Sequence, residues 1–312
     1  MTTQTMKPPA PQALSVYEFL ALFPDEDAAV KFFEHRRWGD EPCCPHCGSV
    51  GVSPVANGKP MPWRCRDCRK HFSVRTGSVL AESKIPLHKW LLAIYMLHSA
   101  RKGVSSVQMA KQIGVTQKTA WFLDHRIREA MKDRGGLFSG VVEVDEVYIG
   151  GKEKNKHAAK RQRAGRGTAG KQPVLGLRQR AGGGVRAFPI DGTDRAQLQS
   201  AIVENVKRGS TVYSDSHSGY VGLRGYAHQS VAHSVGEYVR EQIHTNGIES
   251  FWSLLKRGYV GIYHYMSVPH LSRYVTEFSH RQTYAKTNML DCLSATADGM
   301  KKRRLTYKEL IA

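Results

Sequence analysis

Long apolar runs are missing from this sequence. The longest, WLLAIYML at 90–97, is far too short to cross a bilayer. The opening MTTQTMKPPAPQ lacks the basic start and apolar centre of a secretory leader, so an intracellular chain with no membrane partner is expected. Acidic residues are also scarce, at 27 Asp and Glu against 46 Lys and Arg, a net charge of +19. That balance argues against an enzyme of small metabolites and for a polyanionic partner, of which nucleic acid is the commonest. Charge that only aids solubility is the plainer alternative. Cysteine is sparse too, and five of the six fall between 43 and 68. Such clustering is not the spread of a disulfide framework, and inside a cell it favours a metal.

The cluster reads Cys44-x2-Cys47, seventeen residues, then Cys65-x2-Cys68. Each CxxC bends into a knuckle that brings two thiolates to one tetrahedral ion. Gly, Asn and Pro turns with short strands lie between, which is the character of a zinc ribbon, expected over 39–80. A redox dithiol would need one pair only. Cys43 is spare, and His46 and His71 are not needed where four sulfurs are present.

Residues 1–38 read as a helical segment with a disordered Pro- and Thr-rich start. Two short amphipathic helices are expected within 15–38, the second opening at Asp25 and Glu26. Residues 81–134 are strongly helical, and Ala110, Gly114 and Ala120 have the small-residue spacing of a helix-turn-helix. Ser105 and Ser106 suit the cap of its first helix and Thr116 that of its second. The second helix would then offer Gln117, Lys118 and Thr119 to a major groove. A helical hairpin that packs and reads nothing has the same pattern.

From 136 to 290 strands and helices alternate as βββαβ, followed by mixed helices and a strand-like SVAHSVGEYV at 230–239. The basic loop 151–172, with Lys160, Arg161 and Arg163, is expected to touch a DNA backbone, or else to be a plain surface loop. Residues 291–312 form a basic tail, in which KKRRLTYKEL reads as a loose arm.

The strand VVEVDEVYIG (141–150) carries Glu143, Asp145 and Glu146 among β-branched residues. Alternation puts Glu143 and Asp145 on one face and Glu146 on the other. Asp215 ends the strand TVYSD. In the helix of 244–261, Ile248, Phe251, Trp252 and Leu255 form an apolar stripe, and Asn246, Glu249, Ser253 and Lys256 a polar one. Carboxylates buried together need a cation, and oxygen-only ligands suit Mg²⁺ or Mn²⁺. Two such ions about 4 Å apart serve in-line phosphoryl transfer, with Lys256 placed to hold a phosphate. Taken singly, Asp215 reads as a turn residue and Glu249 as a solvated helix residue. The case rests on the set.

CPHCGS, WRCRDCRKHFSVRTGSV, KIPLHKWLLAIY, GVTQKTAWFLDHRIREAM, VVEVDEVYIGGKEKNKH, VYSDSHSGY and HTNGIESFWSLLKRGYVGIYHYMS span about 40–280. Together they resemble insertion-sequence transposases of the ISXO-two-like group (the IS-fifteen-ninety-five family). The resemblance implies an α/β, RNase H-like domain with a mixed sheet and flanking helices, behind a zinc ribbon and a helix-turn-helix-like segment. It implies metal-dependent cleavage at terminal inverted repeats and joining of 3′-OH ends to target DNA. Its partners would be transposon-end and target duplexes, a homodimer or higher oligomer would join two ends, and the setting would be bacterial cytoplasm at the nucleoid. Asp145 and Asp215 match the family's two aspartates. Its third member is Asn or Glu followed by Lys, and here Asn246, Glu249 and Lys256 are all present; charge favours Glu249. A domesticated DNA-binding protein without catalysis is the rival reading.

Overall fold

The structure, a computed structural model, describes residues 13–133, 135–151, 157, 159, 161, 168, 170–231 and 244–312. In chain order the elements begin with α1 (Val16–Leu22), α2 (Glu26–Trp38), β1 (Val52–Pro54), β2 (Trp63–Cys65) and β3 (His71–Phe72). There follow α3 (Leu87–Ser99), α4 (Ser106–Ile113), α5 (Gln117–Ala130), β4 (Val141–Ile149), β5 (Gln172–Gln179) and β6 (Val185–Pro189). Then come α6 (Arg195–Asn205), β7 (Thr211–Asp215), β8 (Ala227–Val231), α7 (Asn246–Gly258), a π-helical turn (Tyr259–Tyr263), α8 (Val268–Thr283), α9 (Met289–Gly299) and α10 (Tyr307–Ile311).

These elements form two units. The first takes residues through Ala100, Ser106–Met131 and Tyr284–Ala312; the second takes Arg101–Ser105 and Lys132–Thr283. The ribbon, the tail and most of the helical segment lie in the first unit, whereas Arg101–Ser105 and the residues from Lys132 belong to the second. The second unit runs to Thr283.

In the first unit, Ser15 and Glu18 close a capping box on α1, and the Asp25 carboxylate accepts from Ala28 N at 2.9 Å to start α2. β1, β2 and β3 form an antiparallel sheet. Thr116 caps α5 by accepting from Thr119 N, and Ala110 and Ala120 are buried as the small-residue spacing requires. The tail departs from expectation. KKRRLTYKEL is not a loose arm, because Leu305 and Leu310 are buried and Arg303 donates to the carbonyls of Glu129 and Ala130. Thr306 and Glu309 then close a capping box on α10. The start at 1–12 lies outside the described residues. No described helix is long and apolar enough to cross a membrane.

The second unit is built on a five-stranded sheet in the order β6-β5-β4-β7-β8. β4, β5 and β6 are antiparallel neighbours, whereas β7 and β8 run parallel to β4. This hairpin-then-crossover order is the RNase H-like arrangement. Val142 and Val144 face α6 with Leu175, Leu177, Leu198 and Ile202, while Val147, Ile149 and Val174 face α7 and α8 through Ile248, Phe251, Leu255, Val275 and Phe278. β4 is thus apolar on both sides, as a central strand must be. The last described strand is Ala227–Val231, and residues 232–239 of the expected strand-like stretch lie outside the described residues.

Candidate active site and zinc centre

The four cysteines converge, with every Sγ within 4.8 Å of the others. Cys44 Sγ lies 3.6 Å from Cys68 Sγ, and Cys47 Sγ 3.6 Å from Cys65 Sγ. Tetrahedral zinc with Zn–S bonds of about 2.3 Å requires sulfurs roughly 3.8 Å apart. The donor set therefore fits structural zinc. Backbone amides of Cys68 and Asp67 point at Cys65 and favour its thiolate, while the neighbouring sulfurs push the Cys47 thiol the other way. Trp38, Trp63 and Phe72 pack around the cluster.

The carboxylates of the second unit are arranged by β4. Glu143 and Asp145 share the α7 face and Glu146 lies on the other, as alternation demands. Val141, Val142 and Glu143 pair in parallel register with Thr211, Val212 and Tyr213. Asp145 and Asp215 follow two residues beyond the last of these pairs, and Asp145 feels the charges of Asp215 and Glu249. Asp145 is held by Glu146 N at 2.9 Å and by the indole Nε1 of Trp252 at 3.0 Å. Asp215 Oδ1 accepts from His217 N at 3.0 Å. Glu249, in the first turn of α7, accepts from the Thr245 hydroxyl at 2.6 Å.

Burial raises Asp145 to about 7, helped by the charges of Glu146, Asp215 and Glu249. Burial also raises Glu146, with Asp215 adding to it, while the Tyr220 hydroxyl donates to Glu146 at 2.6 Å and works against the shift. Crowded carboxylates of this kind, with oxygen donors only, suit a hard divalent cation. Among the described residues these carboxylates do not all close to within 4.8 Å of one another, as the thiolates do. A cavity of about 820 Å³ opens beside them, lined by Asp145, Glu146, Glu249 and Trp252 and by the cations Lys102, Lys256 and Arg257. Asp215 and Asn246 are not on its wall, and Asn246 is exposed at the start of α7.

The expected DNA-reading residues have their own contacts. Gln117 donates to Ser106 Oγ at 2.8 Å, Thr119 serves the Thr116 cap, and Lys118 lies over the Tyr307 ring at 4.7 Å. Arg161 is described but Lys160 and Arg163 lie outside the described residues. Glu146, Trp252 and Lys102 were not foreseen as part of the site. For Glu146 the signal was present in the acidic pair of an apolar strand. For Trp252 and Lys102 the contact depends on register and on a loop path that no local pattern encodes.

An RNase H-like α/β unit accompanied by a four-cysteine zinc ribbon defines the class of fold. Comparison with known proteins agrees: residues 137–283 match the ISXO2-like transposase domain and residues 24–71 the transposase zinc-ribbon domain. The chain belongs to the ISXO2-like transposase family. It is 28% identical over 275 residues to a protein of transposable element ISH50 in Halobacterium salinarum, covering 84% of this chain and 92% of that one. Among solved structures, a simian T-cell lymphotropic virus intasome with a PP2A regulatory subunit, B56 gamma, gives a TM-score of 0.28 at 15% identity, over 58% of this chain and 64% of that one. A pre-cleavage Mos1 transpososome gives 0.20 at 14% identity, over 66% and 78%. Likeness at that level carries no structural argument.

Proposed function

We propose that this transposase cuts DNA at the ends of its element and joins the 3′-OH ends to target DNA, with Asp145, Asp215 and Glu249 holding two Mg²⁺ or Mn²⁺ ions. The observation that supports the reading is that Asp145, buried on a central strand, lies within electrostatic reach of Asp215 on the next strand and of Glu249 in the first turn of α7. Such ions, when bound, activate the attacking oxygen and stabilise the leaving one. Asp145 serves as the central ligand, and Trp252 fixes its Oδ2 so that the carboxylate does not rotate. Lys256, with Lys102 and Arg257 on the same wall, attracts the phosphodiester into the cavity beside the acids. Asn246 acts from the helix start as a supporting polar contact rather than as the third ligand.

DNA is the polyanion that the +19 chain meets. Gln117, Lys118 and Thr119 at the start of α5, and the basic loop with Lys160, Arg161 and Arg163, are assigned to that contact. Two ends must be joined together, so a dimer or larger assembly does the work in the bacterial cytoplasm, at the nucleoid.

The test is Mg²⁺-dependent cleavage of DNA carrying the element's ends, by wild type, Asp145→Asn and Asp215→Asn, with binding measured alongside. Loss of cleavage with retained binding is expected. Full cleavage by either variant contradicts the assignment. Binding without cleavage by the wild type favours the non-catalytic DNA-binding reading.

A further inference from the structure

Glu143 is fully buried, yet the proposed chemistry leaves it without a task. Its surroundings supply one. Oε2 accepts from the backbone N of Ile248, in the first turn of α7, at 2.8 Å. Oε1 accepts from Arg180 Nε at 2.9 Å, and Arg178 Nη1 stands 3.7 Å from Oε2. Arg180 also donates to the His244 carbonyl at 2.7 Å and stacks on Tyr213, the β7 neighbour of Glu143, at 4.7 Å. One carboxylate thereby ties together β4, the end of β5, β7 and the start of α7. Gly247 shows how tight the join is: a Cβ there would lie 1.3 Å from Arg178 Nη1 and 2.6 Å from Glu143 Oε2.

The helix so held places Glu249 one residue after Ile248 and brings Trp252 to Asp145. Asp145 lies two residues from Glu143 on the same face of the same strand. A carboxylate meets all three demands: it accepts from a helix N-terminal amide, and it answers two guanidinium groups. A neutral amide of the same shape offers one acceptor oxygen and turns its NH₂ toward an arginine.

We propose that Glu143 is a positioning residue that locks the first turn of α7 onto β4, and so sets Glu249 and Trp252 relative to Asp145 for metal binding. The proposal rests on the reading of Asp145 and Glu249 as metal ligands.

The experiment uses the full zinc-loaded chain and variants Glu143→Gln and Asp145→Asn, with Mn²⁺ alone as the probe. Mn²⁺ binding is followed by the loss of the free-ion resonance signal, and amide exchange is compared between peptides covering 246–252 and 26–38. For Glu143→Gln, exchange across 246–252 rises at least tenfold while 26–38 is unchanged, and Mn²⁺ affinity falls at least tenfold. Wild-type exchange and wild-type Mn²⁺ affinity in a folded Glu143→Gln overturn the proposal. If that variant does not fold, Arg180→Gln carries the test, with shifts of the same direction expected and wild-type values overturning it. Mn²⁺ binding lost in Asp145→Asn but kept in Glu143→Gln rejects the positioning role alone. Binding kept in Asp145→Asn rejects the ligand reading and this inference with it.

Discussion

Trp252 donates its indole N–H to Asp145 Oδ2 at 3.0 Å, and it reaches the carboxylate across the space left by Gly176. Gly176 sits directly opposite Asp145 in the β4–β5 ladder. A Cβ on it would lie 2.4 Å from Trp252 Cζ2 and 2.9 Å from Ile248 Cδ1. The strand partner of the central aspartate is therefore a residue without a side chain, because an indole occupies that place.

Gly176→Ala is expected to push Trp252 off Asp145. The overpacking should cost about 1–3 kcal/mol of stability, read by denaturant unfolding, with a shift in tryptophan emission. Trp252→Phe keeps most of the packing and loses the N–H, so it should cost about 1 kcal/mol and lower divalent-metal affinity more than its stability loss explains. Titration calorimetry with Mn²⁺ checks this.

The raised Asp145 gives a pH dependence of definite sign. Its folded value, about 7, lies above the usual carboxylate range. The folded chain therefore holds this proton more tightly than the unfolded one. The associated stability is present below about pH 4 and is lost as pH rises through 7. The metal-free chain should lose melting temperature between pH 5 and pH 8 relative to Asp145→Asn. A divalent cation competes with the same proton, so Mg²⁺ should restore more at pH 8 than at pH 6. Thermal melts with and without Mg²⁺ measure both.

Cys44→Ser should release zinc and unfold the ribbon, because the sulfur cluster stands in for a core around Trp38, Trp63 and Phe72. Zinc content by atomic absorption should fall, and affinity for the element's ends should fall with it. Zinc content equal to wild type would reject the ligand assignment.

Glu249→Gln and Asn246→Ala separate the candidates for the third ligand. Glu249 lines the cavity and Asn246 does not, so cleavage should drop at least a hundredfold in the first and less than tenfold in the second. The opposite order would transfer the role to Asn246. Lys256→Ala should weaken substrate binding and rate together.

Much of this architecture was legible in the chain. The spacing of Cys44, Cys47, Cys65 and Cys68 encodes the ribbon, since two knuckles on one ion leave few alternatives. The alternation of β4 divides Glu143 and Asp145 from Glu146, and the 3.6-residue stripe of α7 separates Trp252 from Glu249. What escaped the sequence depends on which strands meet and in what register. No local pattern says that Gly176 faces Asp145, or that Ile248 N finds Glu143. The charges of KKRR at 301–304 hide the two leucines, Leu305 and Leu310, that anchor the end of the chain. Glu146 was placed on the correct face, but its bond to Tyr220 and its share in the cavity wall follow from the fold.

The most direct measurement is anomalous scattering from crystals of the chain soaked in Mn²⁺ with DNA carrying an element end. Two manganese peaks are predicted, held by carboxylate oxygens of Asp145, Asp215 and Glu249. Ordered DNA with no manganese at Asp145 would contradict the account.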